Sequence, residues 1–221
     1  MTDTTSPANA DRAPRWERRK ESRPAELLDA ALELFVERGY AATRLEDVAS
    51  RAGVSKGTLY LYYANKEELF RAVVSETIVP LIERFREDVE RSDAPAAKLL
   101  ERFFTEWWGR FGSTRLAGIA KLIVSEAGNF PEVAQFFYQA VVRPNTALLA
   151  MILQRGVDRG EFRAIDVPTA VHLWMSPLVM KAIWTHSMQP CCPPEDVVDP
   201  ERFVRLHVDS VLRALAKRKP R

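Results

Sequence analysis

Two short helices set around one glycine constrain this chain more than any other feature. Residues 43–66 read Thr-Arg-Leu-Glu-Asp-Val-Ala-Ser-Arg-Ala-Gly-Val-Ser-Lys-Gly-Thr-Leu-Tyr-Leu-Tyr-Tyr-Ala-Asn-Lys. Thr43 followed three residues later by Glu46 predicts a capping box, in which each side chain satisfies a backbone N–H at the helix start. Leu45, Val48, Ala49 and Ala52 then repeat on one helical face. Gly53 stops that helix, because a glycine enters the left-handed conformation without penalty. Ser55 is placed to cap a second helix. Asn65 with Glu68 forms another box and begins a third.

A glycine turn between two short helices is the helix-turn-helix pattern, whose second helix enters the DNA major groove. The exposed residues fit that task. Ser55, Lys56, Gly57 and Thr58 are small or cationic, so a nucleic-acid backbone can approach closely. Tyr60, Tyr62 and Tyr63 offer hydroxyls and ring faces, and Leu59 is the inward anchor. Lys56, Gly57, Thr58 and Tyr62 are expected to face the groove. Thr43, Ser55, Tyr60 and Lys66 are expected to hold phosphates, which position the protein while base contacts specify the sequence.

The run from Gly53 to Phe70 closely resembles the DNA-binding domain of TetR-family transcriptional regulators. The likeness extends back through Ala30, Phe35, Gly39, Tyr40, Thr43 and Ala49, and covers residues 24–72. Tyr63 departs from the pattern, since the family more often has Phe there. Residues 130–160 are more loosely similar to AefR-type regulators. The resemblance implies an all-α fold: an N-terminal three-helix helix-turn-helix domain (22–72) and a larger C-terminal helical ligand-binding and dimerisation domain (73–221). It also implies a homodimer on a double-stranded DNA operator. An effector would act by changing the distance between the two recognition helices.

The composition is compatible with this. The chain has 221 residues, 47% hydrophobic and 28% charged, with a net charge of +2 that argues neither for nor against nucleic acid. Charge is nevertheless concentrated at the ends: Arg12, Arg15, Arg18, Arg19, Lys20 and Arg23 in an N-terminal arm (1–21) expected to be disordered, and Lys217, Arg218, Lys219 and Arg221 at the C-terminus. No apolar run reaches the ~18 residues of a membrane span, and no export signal stands out, so a cytoplasmic protein without membrane contact is expected. Beyond the motif, helical periodicity continues throughout. Pro24 suits a first helical turn, and Gly39 a helix end. Pro80, Pro144 and Pro177 mark interruptions or kinks. No period-two strand pattern appears.

Phe103, Phe104, Trp107, Trp108 and Phe111, with Phe137 and Trp174, form an aromatic group richer than a core requires. They can be simple packing, or the wall of a pocket for a small hydrophobic or aromatic effector. Glu106 and Arg110 have the spacing of an ordinary surface pair. The resemblance places the dimer interface on the last two helices, with Trp174, Leu178, Phe203, Val211 and Leu215 as its expected residues. His172, His186 and His207 match no metal-ligand spacing, and Cys191-Cys192 has no neighbouring ligands, so neither a metal nor a cofactor is expected. No nucleophile elbow, phosphate loop or carboxylate pair suggests an enzyme. The expected function is a ligand-responsive repressor. The alternatives are an activator or multi-target regulator of the same fold, a helical enzyme and a protein-interaction module.

Overall fold

The computed structural model describes residues 15–217, with side chains from Pro24 onward. Among these residues the chain forms eleven α-helices and no strand. Helix α1 (Arg15–Ala42) begins ahead of Pro24. Residues 15–21, read as a disordered arm, therefore carry helical backbone; their Glu, Arg and Lys residues are good helix formers. The rest of that arm (1–14) and residues 218–221 lie outside the described residues. At Gly39 the backbone leaves helical geometry with φ of 84°.

Helices α2 (Leu45–Arg51), α3 (Lys56–Tyr62) and α4 (Lys66–Thr77) follow. Gly53, at φ 66°, makes the turn between α2 and α3. Ser55 caps α3 by accepting from the Thr58 N–H, and Asn65 caps α4 by accepting from the Glu68 N–H. Glu68 returns a bond to the N–H of Ala64. The first capping box does not form. Arg44 is the residue preceding α2, and it makes no side-chain cap. The Thr43 hydroxyl instead donates to the carbonyls of Leu34 and Gly39, closing the end of α1.

The larger domain starts with α5 (Val79–Arg91), where Pro80 takes an early position in a new helix, as its missing N–H allows. Helix α6 (Ala96–Trp107) runs into a π-turn at Trp108–Gly112, and α7 is Ala117–Glu126. Helices α8 (Pro131–Phe137) and α9 (Arg143–Asp158) are joined through a second π-turn, Tyr138–Val142. That turn precedes Pro144 and absorbs the clash a proline ring makes with the preceding turn. Pro131–Asp158 is therefore one continuous 28-residue helix, long and apolar enough to cross a membrane by length and composition. The expectation that no segment would be is corrected. Helix α10 (Val167–Thr185) is capped by Asp166, and α11 (Pro200–Leu215) by Asp199.

Helix α1 packs on α2 and α4 and also directly on α7. A Cβ on Gly118 of α7 would lie 2.5 Å from Val36 of α1, so the two backbones meet where no side chain fits between. Helix α6 packs on α9 and α11, and α10 on α7 and α9. One continuous core therefore runs from Leu27 to Leu215.

Candidate functional site

The face of α3 is built by its two ends. Ser55 fixes the N-terminus through its cap, and its hydroxyl also bonds to that of Thr58 at 2.8 Å. Leu59, fully buried, fixes the inner side. What remains outward is Lys56, Gly57, Tyr60, Leu61 and Tyr62. A Cβ on Gly57 would meet only the Ser55 hydroxyl, at an ordinary 3.8 Å. Nothing inside the protein demands glycine there, although glycine weakens a helix.

Lys56 forms an ion pair with Glu46 on α2 and lies 5.7 Å from the Tyr60 ring centroid. Its hydrogen bond to Glu46 raises the lysine pKa and lowers that of the carboxylate. Leu61, at 85% exposure, is the most exposed large hydrophobic residue described. It is not among the residues the motif pattern singles out, which include Leu59 as the one inward anchor. Its position beside Leu59 and between two outward tyrosines is the signal that would have found it.

Two residues expected to hold phosphates are turned inward. Thr43 is 1% exposed and its hydroxyl is committed to α1, so its side chain cannot reach a phosphate. Lys66 is drawn inward: its Nζ donates to the carbonyls of Tyr40 at 2.7 Å and Ala41 at 3.0 Å. It also sits over the rings of Tyr40 and Phe130, and burial lowers its pKa. The end of α1 exposes two carbonyls with no helical partner, and a cation meets them better than water can in that half-buried setting.

The larger domain holds a partly open cavity of about 410 Å³, within the roughly 300–1,000 Å³ of small-molecule sites. Of the aromatic residues expected to line it, Phe103, Trp107, Phe111 and Phe137 do. Phe104 and Trp108 are buried elsewhere in the core; Phe104 meets the His207 ring edge-on. Trp174 is half-buried against the core and leaves the wall to its neighbours Met175 and Val179. The spacing of aromatic residues gave no means of telling wall from core. Helix α10 carried a signal that was not used. It is apolar all round, which a helix with only one buried face is not.

Both π-turns border the cavity. A Cβ on Gly112 would lie 2.6 Å from Trp108 and 2.9 Å from Trp107, so glycine lets the two indoles close on the turn. Trp107 and Phe111 then pack with ring centroids 5.3 Å apart along the wall. Glu106 and Arg110 also line the cavity, joined at 3.2 Å, where the spacing alone read as a surface pair.

The cavity wall and the helix-turn-helix domain are in direct contact. Phe136 on α8 lies against the Arg71 guanidinium of α4, 4.5 Å from its ring centroid. Phe130, just before α8, packs edge-on against Tyr40 at 4.8 Å. At the end of α7, Glu126 accepts from the Ala41 N–H.

The residues expected at the dimer interface are mostly internal. Leu178, Val211 and Leu215 are buried in the subunit's own core, because they occupy the faces of α10 and α11 turned towards α6, α7 and α9. Phe203 is half-buried, stacked on His207. Leu173, Pro177, Met180 and Trp184 are instead outward along one stripe of α10, with Leu206 outward on α11. Cys191 and Cys192 are free thiols in the connecting loop.

Comparison with known proteins extends these observations. Residues 27–73 match the family model of bacterial regulatory proteins, tetR family, and residues 97–200 match the tetracyclin repressor-like C-terminal domain. The transcriptional repressor KstR2 of Rhodococcus jostii is 31% identical over 153 residues, covering 68% of this chain and 74% of that protein. The fatty acid metabolism regulator protein of Bacillus subtilis is 29% identical over 154 residues, 68% of this chain and 78% of that protein. Among solved structures, the regulator FadR from Bacillus subtilis in complex with stearoyl-CoA superposes with a TM-score of 0.72 at 23% identity, covering 86% of this chain and 98% of that one.

Proposed function

Because the chain belongs to the tetR family of bacterial regulatory proteins, and is on that ground a DNA-binding transcriptional regulator, we propose that it is a homodimeric repressor of the cytoplasm released from its operator by a small apolar effector. The observation that carries this reading is the pairing of an outward α3 face with a largely apolar cavity, linked through α8 and α4. Residues 22–72 bind DNA, and 73–221 hold the effector and the dimer face.

On DNA, Lys56, Gly57, Thr58, Leu61 and Tyr62 face the major groove. Gly57 admits the close approach, Tyr62 offers its hydroxyl, and Leu61 meets a thymine methyl. Ser55 and Tyr60 hold phosphates. Lys56 must exchange Glu46 for DNA, which costs little because both groups are exposed. Two recognition helices in a dimer read half-sites about one helical turn apart. The outward stripe on α10, with heptad-like spacing at 173, 177, 180 and 184, supports a helix-pairing dimer contact.

An effector in the cavity touches Phe137 and Val141 of the α8–α9 segment and Ile78 at the end of α4. It lowers DNA affinity only if it binds one α4 position better than the other. The stearoyl-CoA held by the related FadR structure has an apolar chain of the kind this wall suits. The test is binding of the purified protein to DNA upstream of its own gene, with random duplex as control, across a salt series, and a reporter on the same DNA. Tight, salt-sensitive binding above the control, with transcription lowered, is expected. Transcription raised would make it an activator, and no binding at low salt would sink the DNA-binding reading.

A further inference from the structure

The cavity wall is apolar except for Glu106, Arg110, Asn145, Thr146, His172 and Ser176. The Thr146 and Ser176 hydroxyls donate within their own helices, to the carbonyls of Val142 and Arg143 and of His172. The charged pair is different. Glu106 accepts from Arg102 Nε at 2.7 Å through one oxygen, and faces Arg110 Nη2 at 3.2 Å through the other. Arg102 is itself tied to Asp88 at 2.5 Å and lies over the Phe85 ring. Glu106 is therefore held twice. Arg110, half-exposed on the π-turn, has Glu106 as its single ion-pair partner among the described residues.

We propose, resting on the effector-site reading above, that the cavity takes an apolar chain ending in a carboxylate, and that Arg110 exchanges Glu106 for that carboxylate on binding. A guanidinium presents two parallel N–H groups matched to a carboxylate. Leaving Glu106 strands no charge, because Arg102 keeps it paired, and parting two partly exposed groups costs little. The chain lies along Trp107 and Phe111, which the same π-turn sets into the wall beside Arg110. A neutral molecule of equal length fills the same space and finds no anchor, since Arg110 stays with Glu106.

The experiment compares dodecanoate, dodecanol and the coenzyme A thioester of dodecanoate by titration calorimetry on the full-length dimer, together with release of bound DNA. The free acid is expected to bind more tightly than the alcohol by about tenfold or more, the worth of a charged hydrogen-bonded contact. Arg110→Gln should erase that preference. Glu106→Gln, which frees Arg110 in advance, should strengthen acid binding while the alcohol is unmoved. Unchanged far-ultraviolet dichroism and DNA binding would verify the fold of both variants. Equal affinities for acid and alcohol, or a preference that survives Arg110→Gln, would overturn the head-group assignment and leave the cavity as an effector site. Binding of the thioester alone would overturn it too. If none of the three binds, the effector reading falls with it.

Discussion

Gly57 places a weak helix former in α3 where no neighbour inside the protein requires it. Replacing it by Ala adds a methyl group that meets nothing closer than 3.8 Å. Thermal and denaturant unfolding of Gly57→Ala should show stability unchanged or raised by up to about 1 kcal/mol, the Gly-to-Ala difference in a helix. Operator affinity should nonetheless fall, by about tenfold if one contact is lost. A loss of both together would mean that Gly57 serves the fold. His207 makes the opposite case, a polar side chain committed inward. Its ring lies between Phe203 and Phe104, its Nε2 has no partner, and burial lowers its pKa while the Trp174 carbonyl opposes that. The folded state therefore resists a proton that the unfolded chain takes up, so stability should fall as pH drops below the ordinary histidine value near 6.5. The comparison is a pH series of melting temperatures for wild type and His207→Phe. The substituted protein should show a shallower acid decline.

At the scale of elements, the α8–α4 contact is the place to separate effector response from DNA binding. Phe136→Ala removes the ring beside Arg71 without touching α3. DNA affinity of the free protein should change little, while the coupling between effector and DNA should weaken by roughly 1 kcal/mol, as substitutions between coupled sites do. Full retention of release would exclude this contact from the route. The elements also show what a sequence can and cannot disclose. The helix-turn-helix was legible because Gly53, Ser55 and Asn65 act locally, through one backbone angle and two side-chain bonds. Thr43 bonds backward, to Gly39 four residues earlier and to Leu34, where the motif spacing suggests a forward cap; the carbonyls that hold Lys66 lie close only in space, through a turn that no motif spacing encodes. The cavity wall was half legible. Phe103, Trp107 and Phe111 are separated from Phe104 and Trp108 only by which neighbour each face of α6 meets, and the π-turn shifts that phase by an extra residue. The same limit applied to α10 and α11, where strong apolar faces pointed inward and a sparser one pointed out.

For the whole molecule, that outward stripe predicts an assembly. Leu173→Glu places a carboxylate on the stripe and, across a two-fold axis, opposes it to its own copy, which like-charge juxtaposition disfavours by several kcal/mol. Sedimentation should then show monomers of unchanged helicity, with operator binding weakened because each monomer reads a single half-site. A persisting dimer would place the interface elsewhere. The Lys66 cation, held by the carbonyls of Tyr40 and Ala41 and lying over the Phe130 ring, bears on how the protein comes apart. Together with Gly118 against Val36 and Glu126 on the Ala41 N–H, it fastens the end of α1 to the larger domain. The DNA-facing helices cannot loosen without exposing that seam, and α7 cannot loosen without uncovering α1. A calorimetric melt should therefore give one cooperative peak, its enthalpy matching that of a single two-state unit. The helix-turn-helix and the larger domain are in this sense not modules on a string, and a single melting point is expected of both.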